Sequence, residues 1–96
     1  MIYELGFLDE AWSEWNKLDK SIREQFKKKL TERLHHPRVP AAKLSGSDKR
    51  YKIKLKSAGF RLVYEVRDSQ LIIVVIAVGK RDKNLVYATA ASRILT

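Results

Sequence analysis

The sequence contains no cysteine, which excludes disulfides, thiolate nucleophiles and thiolate metal ligands. Long apolar runs are also missing: the longest, Leu71 to Val78, is about a third of the length that a membrane helix needs. The first residues, Met1 to Leu5, lack the basic and apolar pattern of a secretory signal. Histidine occurs only at His35 and His36, and neither has an acid or nucleophile partner nearby in sequence. We therefore expect a cytoplasmic protein without a metal or other cofactor.

Positive charge, in contrast, is abundant. The 96 residues include 20 Lys plus Arg against 11 Asp plus Glu, and this formal charge of +9 favours polyanionic partners: RNA, DNA, a membrane surface or an acidic protein. A hydrophobic content of 45% is typical of a folded chain and not of a disordered basic tail. The length suits one small domain over residues 1–96, so the basic side chains are expected on a shaped surface.

Hydrophobic periodicity predicts an α+β domain in the order β-α-α-β-β-β, with a short helix at the end. Residues 2–8 form the predicted first strand. Asp9 is then expected to cap a helix in which Trp12, Trp15 and Leu18 share one face, because they recur at three-residue spacing. We expect this face to lie in the core.

A second predicted helix has Ser21 and Glu24 at capping-box spacing and ends before Pro37. Its apolar stripe consists of Ile22, Phe26, Leu30 and Leu34. The remaining positions are largely basic, with Lys27 and Lys28 among them. Such a face is either simply solvated or in contact with RNA.

Three further strands are predicted at Arg50 to Lys56, Phe60 to Arg67 and Leu71 to Val78. Because the linkers between them are short, they are expected to form an antiparallel meander with the two helices packed on one face. The final segment, Asp82 to Leu95, predicts a helix whose apolar side contains Val86, Ala90 and Ile94. It has few large apolar residues, so we expect weak attachment and displacement or reordering by an acidic partner.

Strand alternation predicts a cluster of cations on one face of this sheet. Lys52, Lys54 and Lys56 lie on the opposite face from their apolar neighbours. If the apolar positions of the next strand pair with those neighbours, Arg61 lies directly across from Lys54. Like charges in that position are normally destabilising, which suggests a function, although alternating lysines are also common on a solvated edge strand. Gly79, Lys80 and Arg81 leave the central strand near the same surface, followed by Tyr87.

This cluster suits the cleavage of RNA. The reaction needs a base for the 2′-hydroxyl, stabilisation of charge on the phosphate, and help for the departing 5′-oxygen. Arginine and lysine provide the last two readily. Lysine is normally protonated at neutral pH, but neighbouring positive charges lower its pKa, so Lys54 between Lys52 and Arg61 is a candidate base.

The residues and their order resemble the RelE toxins of the RelE/ParE superfamily, bacterial toxins that cleave messenger RNA. The likeness covers essentially the whole chain. It is carried by Pro37, Lys43 to Gly46, Tyr51 to Leu55, Gly59 to Tyr64, Val78 to Arg81, and Val86-Tyr87. The resemblance implies a RelE-like fold of the microbial-ribonuclease type, no metal, and a role for each of five residues.

By this resemblance Lys54 is the general base, while Lys52 and Arg61 hold and stabilise the phosphate. Arg81 assists the leaving oxygen, and Tyr87 orients the substrate or stacks on it. Further contacts with RNA or the ribosome are expected from Lys27, Lys28, Lys49, Arg50, Lys56 and Lys80.

The resemblance also implies the partners. They are the 70S ribosome with messenger RNA in its A site and 16S rRNA, a RelB-like antitoxin that wraps around the toxin, and operator DNA bound through the toxin–antitoxin complex. Two other functions remain open at this stage: a gyrase-inhibiting toxin of the ParE type and a nucleic-acid-binding module without catalysis. Binding alone would not require Arg61 opposite Lys54 with Arg81 and Tyr87 converging on them.

Overall fold

The computed structural model describes residues 2–82 and 84–93. Its strands and helices are β1 (Glu4–Phe7), α1 (Asp9–Asn16), α2 (Lys20–His35), β2 (Arg50–Leu55), β3 (Phe60–Arg67), β4 (Ile72–Lys80) and α3 (Leu85–Ser92). Short 3-10 turns occupy Pro40–Ala42 and Asp68–Gln70. The predicted α+β class and order of elements are confirmed.

The four strands form a single sheet in the order β1-β4-β3-β2. Strands β2, β3 and β4 pair antiparallel and form the predicted meander, whereas β1 pairs with β4 in parallel. Parallel partners need a long connection, and here it comprises every element between the two strands. Strand β2 is left at the edge of the sheet.

The sheet is covered by α1 and α2 on one face and by α3 on the other. The first face holds the larger core, in which Phe26 and Tyr64 are fully buried. The second core is smaller and joins Val86 and Ala90 of α3 to residues of β3 and β4. Trp15 and Leu18 are buried as predicted, but Trp12 is 50% exposed and packs edge-on against Phe7 at the rim.

Both predicted helix caps are wrong. The N-cap of α1 is Leu8, because its carbonyl accepts the first helical hydrogen bond from Trp12. Asp9 instead lies in the first turn, where the negative charge of its carboxylate interacts favourably with the positive end of the helix dipole. In α2 the N-cap is Asp19, and Ser21 is already inside the helix. Neither N-cap side chain forms a capping hydrogen bond.

Strand β4 contains a β-bulge that changes which of its side chains face α3. Val63 pairs with Ala77 and Tyr64 with Val75, so Ile76 is the extra residue. Alternation therefore reverses after Ile76, and both it and Ala77 face the α3 side. With this shift, alternation along the chain places Arg81, and not Lys80, on the α3 side of the sheet.

Helix α3 is shorter than the predicted segment Asp82 to Leu95. Val86 and Ala90 are buried, as expected. The predicted contribution of Ile94 falls outside the described residues. Within residues 2–82 and 84–93, none of the helices is long and apolar enough to cross a membrane.

Candidate active site

Lys52 and Lys54 of β2 and Arg61 of β3 project on the α3 side of the sheet. The pairing of Lys54 with Arg61 is confirmed, as is that of Ile53 with Leu62. Lys54 is exposed and Lys52 is half-buried, while Ile53 is buried on the opposite face. The register thus brings like charges together without placing either of them in the larger core.

Arg61 differs from the lysines because it is only 8% exposed. Its guanidinium donates a hydrogen bond to the carbonyl oxygen of Phe60 at 2.9 Å. Opposite it in β4 lies Gly79, where an added Cβ would approach Val86 of α3 to 3.4 Å. The side chain of Val86 thus packs closely on the sheet beside Arg61. The arginine is therefore held in a defined position, as a phosphate contact requires.

Arg81 follows the end of β4, and its side chain is exposed. Its backbone N–H donates to the Gly59 carbonyl at 2.7 Å, which continues the β3–β4 pairing by one residue. The bulge at Ile76 puts this residue on the same side of the sheet as Arg61 and Lys54. The backbone is fixed while the guanidinium is free to meet a ligand.

Tyr87 reaches the cluster from α3. The ammonium of Lys52 lies over its ring, 5.8 Å from the ring centroid. The Tyr87 hydroxyl is buried and has no hydrogen-bond partner among the described residues. Leaving a buried hydroxyl unpaired costs about 1–3 kcal/mol, and such groups often mark functional positions. In this conformation Tyr87 offers its ring, and not its hydroxyl, to the cations.

The cluster has no negative charge of its own. In the described part of the chain the ion pairs are Arg38–Asp68, Arg50–Glu65, Arg67–Glu65 and Arg93–Glu14. None of them involves Lys52, Lys54, Arg61 or Arg81. Repulsion from Lys52 lowers the pKa of Lys54, with smaller effects from desolvation, Arg61 and Lys56. This is the direction that the sequence predicts for a lysine acting as a base.

The residues predicted to make further contacts with RNA or the ribosome lie in different parts of the structure. Lys56 lies in the turn after β2, one residue beyond the strand in which it was predicted, and lines the same groove as Lys54. Lys27 and Lys28 are exposed on α2. Lys80 points to the α1 and α2 side of the sheet because of the bulge. Arg50 is bound inside the protein to Glu65 and to two carbonyl oxygens of the α3 end, so its guanidinium is not free for RNA.

Lys49 lies at the far end of β2, away from Lys54. It lines a polar cavity of about 860 Å³ that also contains Arg38 and Arg67. None of the five predicted catalytic residues lines this cavity. This cavity is therefore separate from the cation cluster.

Two basic residues that we did not assign to the site border it. Lys29 and Arg33 of α2 line a groove of about 370 Å³ together with Lys52, Lys54 and Lys56. Arg33 donates to the Tyr64 hydroxyl at 2.8 Å and to the Lys52 carbonyl at 3.3 Å, which fixes the edge strand. Their four-residue spacing places them on one helix face, a signal that was present in the sequence. The described residues contain no cluster of His, Asp and Glu that could hold a metal.

Comparison with known proteins agrees with this geometry. Residues 5–85 match the family described as ParE toxin of the type II toxin–antitoxin system parDE. The mRNA interferase toxin RelE of Escherichia coli K12 is 52% identical over 95 residues, which cover 99% of this chain and 100% of that protein. These two matches span the cation cluster.

Solved structures agree as well. A double arginine-to-alanine mutant of E. coli RelE in the free state superposes with a TM-score of 0.90 at 50% identity, covering 99% of this chain and 100% of the other. RelE in the intact E. coli RelBE toxin–antitoxin complex superposes with a TM-score of 0.80 at 51% identity. The match covers 83% of this chain and 98% of the other. The chain belongs to the RelE branch of the RelE/ParE superfamily of type II toxins.

Proposed function

We propose that this protein is a toxin that cleaves messenger RNA in the ribosomal A site and thereby inhibits translation in the cytoplasm. The observation that carries the proposal is the set of Lys52, Lys54 and Arg61 on one side of the sheet, with Lys52 over the ring of Tyr87 and Arg81 directly after β4. Among the described residues none of these four cations forms an ion pair. The mRNA interferase activity named for the E. coli relative supports it.

Each residue has a role that suits its position. Lys54 accepts the proton of the 2′-hydroxyl, whose oxygen attacks the adjacent phosphorus and closes a 2′,3′-cyclic phosphate. Lys52 and the buried Arg61 bind the phosphate oxygens, on which negative charge increases. As the bond from phosphorus to the 5′-oxygen breaks, Arg81 stabilises that oxygen by charge and hydrogen bonding, and water supplies its proton, since a guanidinium is not deprotonated in proteins. Tyr87 presents its ring to the substrate for stacking.

The ribosome supplies what the site lacks. The cluster lies on an open face of the sheet, and a lysine base is poor even with a lowered pKa. Holding the RNA strand with its 2′-oxygen, phosphorus and 5′-oxygen in line raises the rate substantially. Lys29 with Lys56, at the groove beside β2, and the exposed Lys27 with Lys28 then contact RNA phosphates.

Primer extension on translating ribosomes incubated with the purified protein tests this function. We expect cuts within A-site codons, little cleavage of the same message without ribosomes, and unchanged cleavage in EDTA at a magnesium level that keeps the ribosomes intact. No cleavage together with inhibition of gyrase would instead identify a ParE-like activity. Binding of ribosomes without cleavage would identify a non-catalytic module.

The pKa of Lys54 predicts a pH dependence. Protonated Lys54 cannot act as the base, so single-turnover cleavage should rise by about tenfold per pH unit until the pH reaches its pKa, which lies below the ordinary lysine value. Lys52→Met removes the largest cause of the lowering and should shift the profile to higher pH. Lys56→Met is the matched control and should shift it less, because Lys56 contributes least. Superimposable profiles in all three proteins would contradict Lys54 as the base.

A RelB-like antitoxin is the proposed inhibitor, and the toxin binds operator DNA only as part of that complex. The basic surface suits an acidic, partly disordered partner. The solved complex of the E. coli relative with its antitoxin supports this partner class.

A further inference from the structure

Helix α3 carries Tyr87 but has few apolar contacts with the sheet. Of its residues only Val86 and Ala90 are buried, and Leu85 is 59% exposed. Tyr87 itself is half-buried and packs against the second core, and further contacts of α3 help to fix its position. Its own hydroxyl contributes none among the described residues.

Two of these contacts come from Arg50 of β2, beside those that Arg93 makes with Glu14 and with the Ile76 carbonyl oxygen. Its guanidinium donates to the carbonyl oxygen of Ala90 and to that of Arg93 at 2.6 Å, the two acceptors at the end of α3. The last carbonyls of a helix lack partners within the helix and carry partial negative charge, so a cation there stabilises the end. Ala90 lies about one helical turn after Tyr87, so contacts that hold the backbone of Ala90 in place also hold that of Tyr87.

The orientation of the Arg50 guanidinium is itself fixed. Its Nε donates to Glu65 Oε1 at 3.0 Å, and the other carboxylate oxygen of Glu65 accepts from Arg67 Nε at 3.3 Å. All three nitrogens of Arg50 are thus engaged, and the side chain is only 12% exposed. A lysine could not make these contacts together, because it lacks the planar fork of donors.

Arg50 and Lys52 belong to the same strand and project from the same face of the sheet. Strand β2 therefore contacts α3 at two points: Arg50 binds the end of the helix, and Lys52 lies over the Tyr87 ring. We infer that Arg50 is a positioning residue, which sets the distance between Tyr87 and the cations through α3. This inference rests on the proposed cleavage activity.

A double-mutant cycle with Tyr87 tests it. Single-turnover cleavage on programmed ribosomes is measured over a range of toxin concentrations for the wild type, Arg50→Met, Tyr87→Ala and the double variant. We expect Arg50→Met to lower the rate at saturation by about tenfold or more, with an unchanged half-saturating concentration. In the Tyr87→Ala background the same substitution should have little effect, because residues that act as a unit are not additive.

Arg67→Met is the matched control. Arg67 binds the same carboxylate as Arg50 but makes no contact with α3 among the described residues, so its removal should leave the saturating rate unchanged. Thermal unfolding checks that each variant is folded. If Arg50→Met does not fold, Arg50→Lys enters the same cycle, and a partial loss that depends on Tyr87 is expected.

A second measurement does not depend on cleavage. The ring proton chemical shifts of Tyr87 should change in Arg50→Met, while those of the distant Tyr3 should not. Unchanged Tyr87 shifts, or a loss of equal size in the Tyr87→Ala background, would overturn the inference. A raised half-saturating concentration with a normal saturating rate would make Arg50 an RNA contact instead. A wild-type protein that does not cleave would overturn the proposed function, and the chemical shifts would still decide the position of Tyr87.

Discussion

Replacement of Lys54 or Arg81 by alanine is expected to lower single-turnover cleavage of ribosome-bound messenger RNA by about 10² to 10⁴-fold. Loss of a general base typically has an effect of this size, as does loss of a group that stabilises developing charge. Both side chains are exposed, and neither is in an ion pair of the described chain. Their removal should therefore leave thermal unfolding unchanged, or raise its midpoint slightly for Lys54, because a repulsion with Lys52 is lost.

The matched control for Lys54→Ala is Lys56→Ala. Both lysines are exposed and line the same groove, but Lys54 pairs with Arg61 across the strands, whereas Lys56 lies in the turn that follows β2. We expect Lys56→Ala to weaken ribosome binding only modestly through loss of one phosphate contact. Equal effects of the two substitutions, or cleavage at the wild-type rate in Lys54→Ala and Arg81→Ala, would show that the cluster binds RNA without catalysing its cleavage.

Binding of the antitoxin is expected to abolish the hydrogen-exchange protection of α3 over Leu85–Ser92. The apolar contacts of this helix are few, and much of its attachment comes from Arg50 and from Arg93, which binds Glu14 of α1 at 2.9 Å. A partner that covers the same face can replace the helix and move Tyr87 away from Lys54. Hydrogen exchange of α3, measured by mass spectrometry with and without antitoxin, tests this expectation. Unchanged protection of the helix would mean that the antitoxin only blocks access to the cation cluster.

The substitution Glu14→Gln sharpens this experiment. It weakens the ion pair to Arg93, so less free energy is needed to displace α3, and the antitoxin should bind several-fold more tightly. Glu24→Gln makes the same change of charge at an exposed position of α2 and serves as the control. If Glu14→Gln and Glu24→Gln have the same affinity, the helix stays in place when the antitoxin binds.

The part of the site that depends on strand alternation was predictable from the sequence. The apolar residues of β2 and β3 have only one register that buries them all, and that register fixes Lys54 opposite Arg61. The burial of Val86 and Ala90 follows from helical periodicity in the same way. In these elements the hydrophobic pattern of the sequence matches the side chains that the core buries, and the prediction is therefore confirmed.

What escaped prediction depends on contacts between distant residues. The bulge at Ile76 lies in a continuously apolar strand, which gives no alternation from which an extra residue can be read. Arg50 looked like one more cation of the basic strand because its acceptors lie some forty residues further along the chain. The prediction of the helix caps failed for a different reason. The N-caps Leu8 and Asp19 precede the predicted caps Asp9 and Ser21 by one and two residues, and neither forms a side-chain capping hydrogen bond that would identify it.

The parallel pairing of β1 with β4 delays completion of the sheet during synthesis of the chain. Strand β1 leaves the ribosome first, yet its backbone partners, Ile72 to Val75, are among the last parts of the sheet to emerge. Long-range pairing of this kind folds late. Strands β2 and β3 can form a hairpin earlier, but Arg81 and Tyr87 join it only after β4 has emerged. The proposed site is thus complete only after β4 and α3 have been synthesised.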